Sequence, residues 1–153
     1  MRVLHHPLSN GFQGHAHEGL RDCGRRSGDH FCFGEAHAQD VSFGARLFHE
    51  KADCQFCHGP NGDGRGDARS PGRAANLHET HLDREQLIEV IACGRPGTEM
   101  PHFDRFAYED TDCYGLKGKN LGADAPHYPH STTLTRREIE AIADYILTTF
   151  VGK

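Results

Sequence analysis

The pentapeptide Cys54-Gln55-Phe56-Cys57-His58 constrains this 153-residue chain more than any other feature. Two thiols three positions apart, at the end of a helix, can each form a thioether with one of the two vinyl groups of a single haem. The adjacent imidazole then reaches the iron from one side. Covalent attachment keeps such a group in place even where the apolar core is modest. The composition fits that situation: hydrophobic residues make up 36%, mean hydropathy is −0.68, and Trp is absent. Other uses of the two cysteines are weaker. A zinc ribbon would want a second Cys-x-x-Cys, and a thioredoxin-type pair would want a βαβ setting. The glycine-rich stretch from Gly59 to Gly66 lacks the Gly-Lys-Ser/Thr ending of a phosphate loop.

The length suits one domain. There is no apolar run of the roughly 18 residues that a membrane span needs. The formal net charge of −5 argues against a nucleic-acid binder that works by counterion release.

The chain divides near residue 38. Residues 1–38 carry six His and six Gly with few aliphatic side chains, and no helical or strand period runs through them. They read as a disordered tail or as the remnant of a mis-annotated export signal. Ala36-His37-Ala38 before Gln39 has the form of a signal-peptidase site, but no apolar segment precedes it. Cys23 and Cys32 lie in this segment without an assigned role. Residues 39–153 read as the folded domain, with a mature start near Gln39.

Within that domain three helices are expected. Val41, Ala45, Phe48 and Ala52 share one helical face, and the helix runs straight into Cys54. Asp83 with Gln86 opens a second helix that ends at Cys93, stopped by Gly94 and Pro96. Thr135 with Glu138 opens the third, with Ile139, Ile142, Ala143, Ile146 and Phe150 repeating at three and four. Long Gly/Pro-rich loops connect them, and no strand is expected.

A six-coordinate haem iron needs a second axial ligand, and a thioether suits electron transfer. Met1 and Met100 are the only methionines. Met100 lies in the stiff loop Gly97-Thr98-Glu99-Met100-Pro101, a poor place for a core methionine. His102 is the alternative ligand. His78, His81, His127 and His130 read as solvated surface histidines.

The order of these parts resembles class I monohaem cytochrome c over about residues 41–151. It runs helix, Cys-x-x-Cys-His-Gly, glycine-rich loop, helix, Gly-Thr-x-Met-Pro, helix. The resemblance implies an all-α cytochrome c fold: three main helices around one covalent haem c, with the first and last crossing near the haem edge. Gly44 and Phe48 would meet Tyr145 or Ile146 at that crossing. It also implies a proline whose carbonyl accepts a hydrogen bond from the proximal histidine, and Pro71 is the candidate.

Cys93 and Cys113 flank the Met100 loop. They are either two thiols or a disulfide that encloses Met100, and an exported haem protein favours the disulfide. Phe103, Phe106, Tyr108, Tyr114 and Tyr128 are expected to cover the haem's lower edge rather than to form a docking surface. Glu109-Asp110-Thr111-Asp112 reads as a solvated turn. From Gln39 onward 13 Lys and Arg face 18 Asp and Glu, so this part alone carries −5.

The expected function is electron transfer by a monomeric, non-enzymatic carrier in a bacterial periplasm. Cys54, Cys57, His58, Met100 and Pro71 would hold the haem, with His58 and Met100 as iron ligands. Partners would be a dehydrogenase, an oxidase or another cytochrome. The alternative is a five-coordinate haem protein that binds small gases or acts in peroxide chemistry. A haem-free zinc module is a third reading.

Overall fold

The computed structural model of the chain describes residues 34–125 and 132–153, with side chains from residue 40 onward. Residues 1–33, with Cys23 and Cys32, lie outside the described residues, as do His127, Tyr128 and His130. So do the side chains of residues 34–39.

Helix α1 covers Gly34–Arg46. It starts before Val41, so helical backbone crosses the boundary that the composition suggested at residue 38. At Leu47–Lys51 the winding widens into a π-helical turn, closed by the Ala52 N–H on the Leu47 carbonyl at 2.8 Å. The wider turn buries the consecutive residues Leu47 and Phe48. Asp53, at φ 47°, then breaks the helix. The expected single helix into Cys54 is therefore interrupted, and a separate turn, α2 (Gln55–His58), carries the pentapeptide.

Helix α3 (Arg84–Cys93) begins on a full capping box. The Asp83 carboxylate accepts from the Gln86 N–H at 2.9 Å, and the Gln86 side chain accepts from the Asp83 N–H at 2.9 Å. Helix α4 (Arg136–Thr149) begins the same way on Thr135 and Glu138. Its Ile139, Ile142, Ala143 and Ile146 are buried at the three-and-four spacing seen in the sequence. Helix α4 packs on both α1 and α3.

The α1–α4 crossing depends on Gly44. A Cβ there would collide with the Ala141 carbonyl oxygen and come within 2.7 Å of the Tyr145 Cβ. One turn on, the fully buried Phe48 ring lies 5.5 Å from the rings of both Tyr145 and Phe150. The contact expected between Gly44, Phe48 and Tyr145 is present. Among the described residues there is no β-strand, only an isolated bridge between Cys113 and Leu116. A disulfide joins Cys93 to Cys113.

Candidate haem site

The pentapeptide is held by the glycine-rich loop folding back over it. The Gly64 N–H donates to the His58 carbonyl and the Asp67 N–H to the Phe56 carbonyl, each at 2.8 Å. Gly66 lies so close to the carbonyls of Phe56 and Cys57 that a Cβ would not fit. The loop's glycines thus serve close backbone approach to the turn that carries the chemistry.

Cys54, Cys57, His58, Met100 and Pro101 all line one cavity of about 330 Å³. Phe48, Leu77, Leu87, Ile91, Ile142 and Ile146 supply apolar walls from the loop and the helices. Burial pushes the Cys54 thiol up to about 12 and raises Cys57 as well, so both sulfurs are protonated at neutral pH. They are the two free cysteines among the described residues.

The His58 Nδ1–H donates to the Ala75 carbonyl at 3.0 Å. That bond makes Nδ1 the protonated nitrogen and leaves Nε2 with the lone pair, the state a metal requires. Burial lowers the His58 pKa; the Ala75 carbonyl opposes that, and the charge of Arg95 adds to it. The acceptor is Ala75 and not Pro71, which is a correction to the sequence reading. Pro71 lines the cavity, and the chain passes His58 four residues later.

Met100 is half-buried on the cavity wall. His102, its alternative, is buried away from the lining. Its Nδ1 bonds the Asp104 carbonyl at 2.9 Å and its ring stands edge-on to Tyr108. Of the aromatics expected to cover the haem, only Phe103 lines the cavity among the described residues. Phe106 is 56% exposed, and the hydroxyls of Tyr108 and Tyr114 go to the end of α3. His78 is not a free surface group either. It bridges the carbonyls of Asn61 and Lys153 and packs on Phe150.

Three residues of this site carried no sequence signal. Ala75 contributes a backbone carbonyl, which every residue has. Arg73 and Arg95 are the arginines that line the cavity among the described residues, and nothing in a Gly/Pro-rich loop marks them beforehand. A second cavity of about 410 Å³ is lined in part by α3. Glu85, Glu89, Asp104, Asp110 and Asp112 line it, and it shares none of the pentapeptide residues. Among the described residues, no group of three His, Cys, Asp or Glu could hold a bare metal ion.

The cavity suits a haem. Its walls are apolar, its two thiols can become thioethers, and an imidazole with a free lone pair and a thioether both line it. A family model described as cytochrome c oxidase, cbb3-type, subunit III matches residues 39–117. Among solved structures, the chain is similar to a chain of the Kuenenia stuttgartiensis reducing HAO-like protein complex Kustc0457/Kustc0458. That match has 17% identity and a TM-score of 0.50 over 72% of this chain. It covers 44% of that chain, so this protein spans less than half the length of that neighbour. The c-type cytochrome SorU from Sinorhizobium meliloti is similar at 20% identity and TM-score 0.44, over 76% of this chain and 95% of its own. Reduced cytochrome 6A from Arabidopsis thaliana follows at 22% identity and TM-score 0.42, over 70% and 89%. No curated protein matches the chain in sequence. The likeness at TM-score 0.50 bears on fold alone.

Proposed function

Because the chain belongs to the cytochrome c family described as cytochrome c oxidase, cbb3-type, subunit III, we propose that it is a one-electron carrier with a single covalent haem c. The observation that carries this reading is one cavity lined by Cys54, Cys57, His58 and Met100 together. Cys54 and Cys57 would hold the macrocycle as thioethers. His58 Nε2 and the Met100 sulfur would be the axial ligands. When bound, haem supplies an iron that alternates between iron(II) and iron(III).

The chain's own residues keep that change cheap. The Ala75 carbonyl fixes the His58 ring and raises its basicity as a ligand. The apolar walls from α3 and α4 exclude water. Among the described residues, Arg73 and Arg95 line the cavity as cations that could pair with the haem carboxylates. No substrate chemistry is required, so the reading is a carrier and not an enzyme. The site of action is the periplasm, the oxidising compartment that suits the Cys93–Cys113 disulfide. The partners are redox proteins: a dehydrogenase on one side, an oxidase or another cytochrome on the other. The chain works as a monomer.

The test is an optical spectrum of the protein made with haem-attachment machinery, oxidised and then reduced, for wild type and Met100→Ala. A far-red sulfur-to-iron charge-transfer band in the oxidised wild type, lost in the variant, supports the carrier. A high-spin oxidised spectrum without that band overturns it and favours an open iron that binds gases or peroxide. A colourless protein with bound zinc would overturn both.

A further inference from the structure

The segment that follows the Met100 loop returns to grip the point where that loop leaves α3. The loop itself is short and has no helix or strand to stiffen it. The Arg95 N–H donates to the Met100 carbonyl at 3.1 Å, and the Thr98 hydroxyl donates to the Arg95 carbonyl at 2.8 Å. Its position relative to the cavity is therefore set by its base, the last residues of α3, together with the Gly97 N–H on the Asp124 carbonyl at 2.9 Å.

The last carbonyls of a helix lack intrahelical partners. Here two of them receive phenols. Tyr108 donates to the Cys93 carbonyl at 2.8 Å, and Tyr114 donates to the Gly94 carbonyl at 2.7 Å. Both tyrosines have left-handed backbones, at φ 66° and 56°. That conformation costs a non-glycine residue energy and persists only where its surroundings hold it. Burial raises both phenols above their ordinary range, Tyr114 to about 12, so both remain donors at any physiological pH. Between the two tyrosines, the buried Cys113 is bonded to the buried Cys93. Three bonds thus converge on two consecutive residues. Gly94 itself is so crowded that a Cβ would lie 2.6 Å from the Met100 carbonyl oxygen.

We propose that residues 104–118 form a strap that positions the Met100 sulfur, with Cys93, Cys113, Tyr108 and Tyr114 as its positioning residues. The proposal rests on the reading of Met100 as the distal ligand. A thioether on a free loop loses conformational entropy each time it binds iron; on an anchored loop that loss is already taken. The strap keeps the iron closed to exogenous ligands. It makes the difference between a carrier and an open site a property of this loop and not of the ligand alone.

The experiment uses the oxidised holoprotein and imidazole as the competing ligand. It compares wild type, Met100→Ala, Tyr114→Phe, the Cys93→Ser/Cys113→Ser double variant and Arg84→Ala. The last breaks the Arg84–Asp144 ion pair, away from the strap. The expected result is a weaker far-red band and imidazole binding about tenfold tighter in the double cysteine variant, and about threefold tighter in Tyr114→Phe. Arg84→Ala lowers the unfolding midpoint but binds imidazole like wild type, which separates positioning from general loss of stability. Should the double variant fail to fold, Tyr114→Phe alone decides. Wild-type imidazole affinity in the strap variants, with the band intact and lost only in Met100→Ala, overturns the strap and leaves the ligand reading standing. A wild type without the band, binding imidazole like Met100→Ala, overturns both.

Discussion

Gly44 of α1 faces Tyr145 of α4 so closely that any side chain on the glycine would come within 2.7 Å of the tyrosine's Cβ. Gly44 also abuts the Ala141 backbone carbonyl, so the two helices meet backbone to backbone as well, and Phe48 fills the next turn. Overpacking such a contact costs about 3 kcal/mol when neither backbone can yield. Gly44→Val is therefore expected to lower the unfolding free energy of the holoprotein by about that amount. Denaturant titration with an unchanged slope checks it. A loss under about 1 kcal/mol would mean that the helices can separate.

Tyr145 also closes a polar link at the same crossing. Its hydroxyl and His49 Nε2 are 3.1 Å apart, and His49 Nδ1 lies 2.9 Å from the Gln55 side-chain oxygen. The Gln55 amide donates to the His49 carbonyl at 2.7 Å. With the glutamine oxygen as acceptor, Nδ1 donates and Nε2 accepts from the tyrosine. Tyr145→Phe leaves that acceptor unpaired in a half-buried place. It should cost about 1 kcal/mol with the haem retained, read from the thermal midpoint and the optical spectrum together.

Glu138 gives the fold an acid limb. Burial alone would raise its pKa, but Lys51 at 2.6 Å and the Thr135 cap outweigh it, so the folded value lies below the ordinary 4.5. A depressed carboxylate contributes stability above its unfolded pKa and loses it as pH falls through the folded one. Glu138→Gln should lower stability by about 0.5 kcal/mol at neutral pH. The gap to wild type should narrow as pH falls below the ordinary 4.5 and close once pH has passed through the lower folded value. Paired denaturation curves across that range test the sign. A gap that widened on acidification would contradict it.

The parts of the fold legible in the sequence are those where a side chain acts on its own neighbourhood. Asp83 with Gln86 and Thr135 with Glu138 each bond the backbone three residues away, so the helix starts could be read directly. The pentapeptide is local in the same way. The π-helical turn at Leu47–Lys51 was not legible, because Val41, Ala45, Phe48 and Ala52 are spaced as an ordinary α-helix would space them. His49 within that turn meets Tyr145, a residue 96 positions on, and local spacing cannot show such a contact. The Ala75 carbonyl was invisible for another reason: the backbone is the same everywhere, and only the path of the loop selects one carbonyl. The size of Tyr108 and Tyr114 calls for packing, which makes them look like covering aromatics in the sequence. Size does not say which surface they pack on, and their hydroxyls took them to the end of α3. The Cys93–Cys113 pairing stood midway, one of two states that spacing allowed.

Arg95 lines the cavity beside the Met100 loop, and its charge already acts on His58. A nearby cation disfavours the oxidised iron, which carries one more positive charge than the reduced form. Neutralising Arg95 therefore favours oxidation and lowers the midpoint potential. A partly solvated unit charge at this range is worth about 1 kcal/mol, or on the order of 50 mV for one electron. Arg95→Gln should shift the potential downward by that order in low salt and by less at high ionic strength. Arg136→Gln, whose side chain lines the other cavity, should shift it by less than about 10 mV. Spectroelectrochemical titration of the three proteins at two salt concentrations decides the matter. An equal shift in both variants would reduce the effect to net charge, and an upward shift with Arg95→Gln would mean that its guanidinium does not act on the iron through its charge.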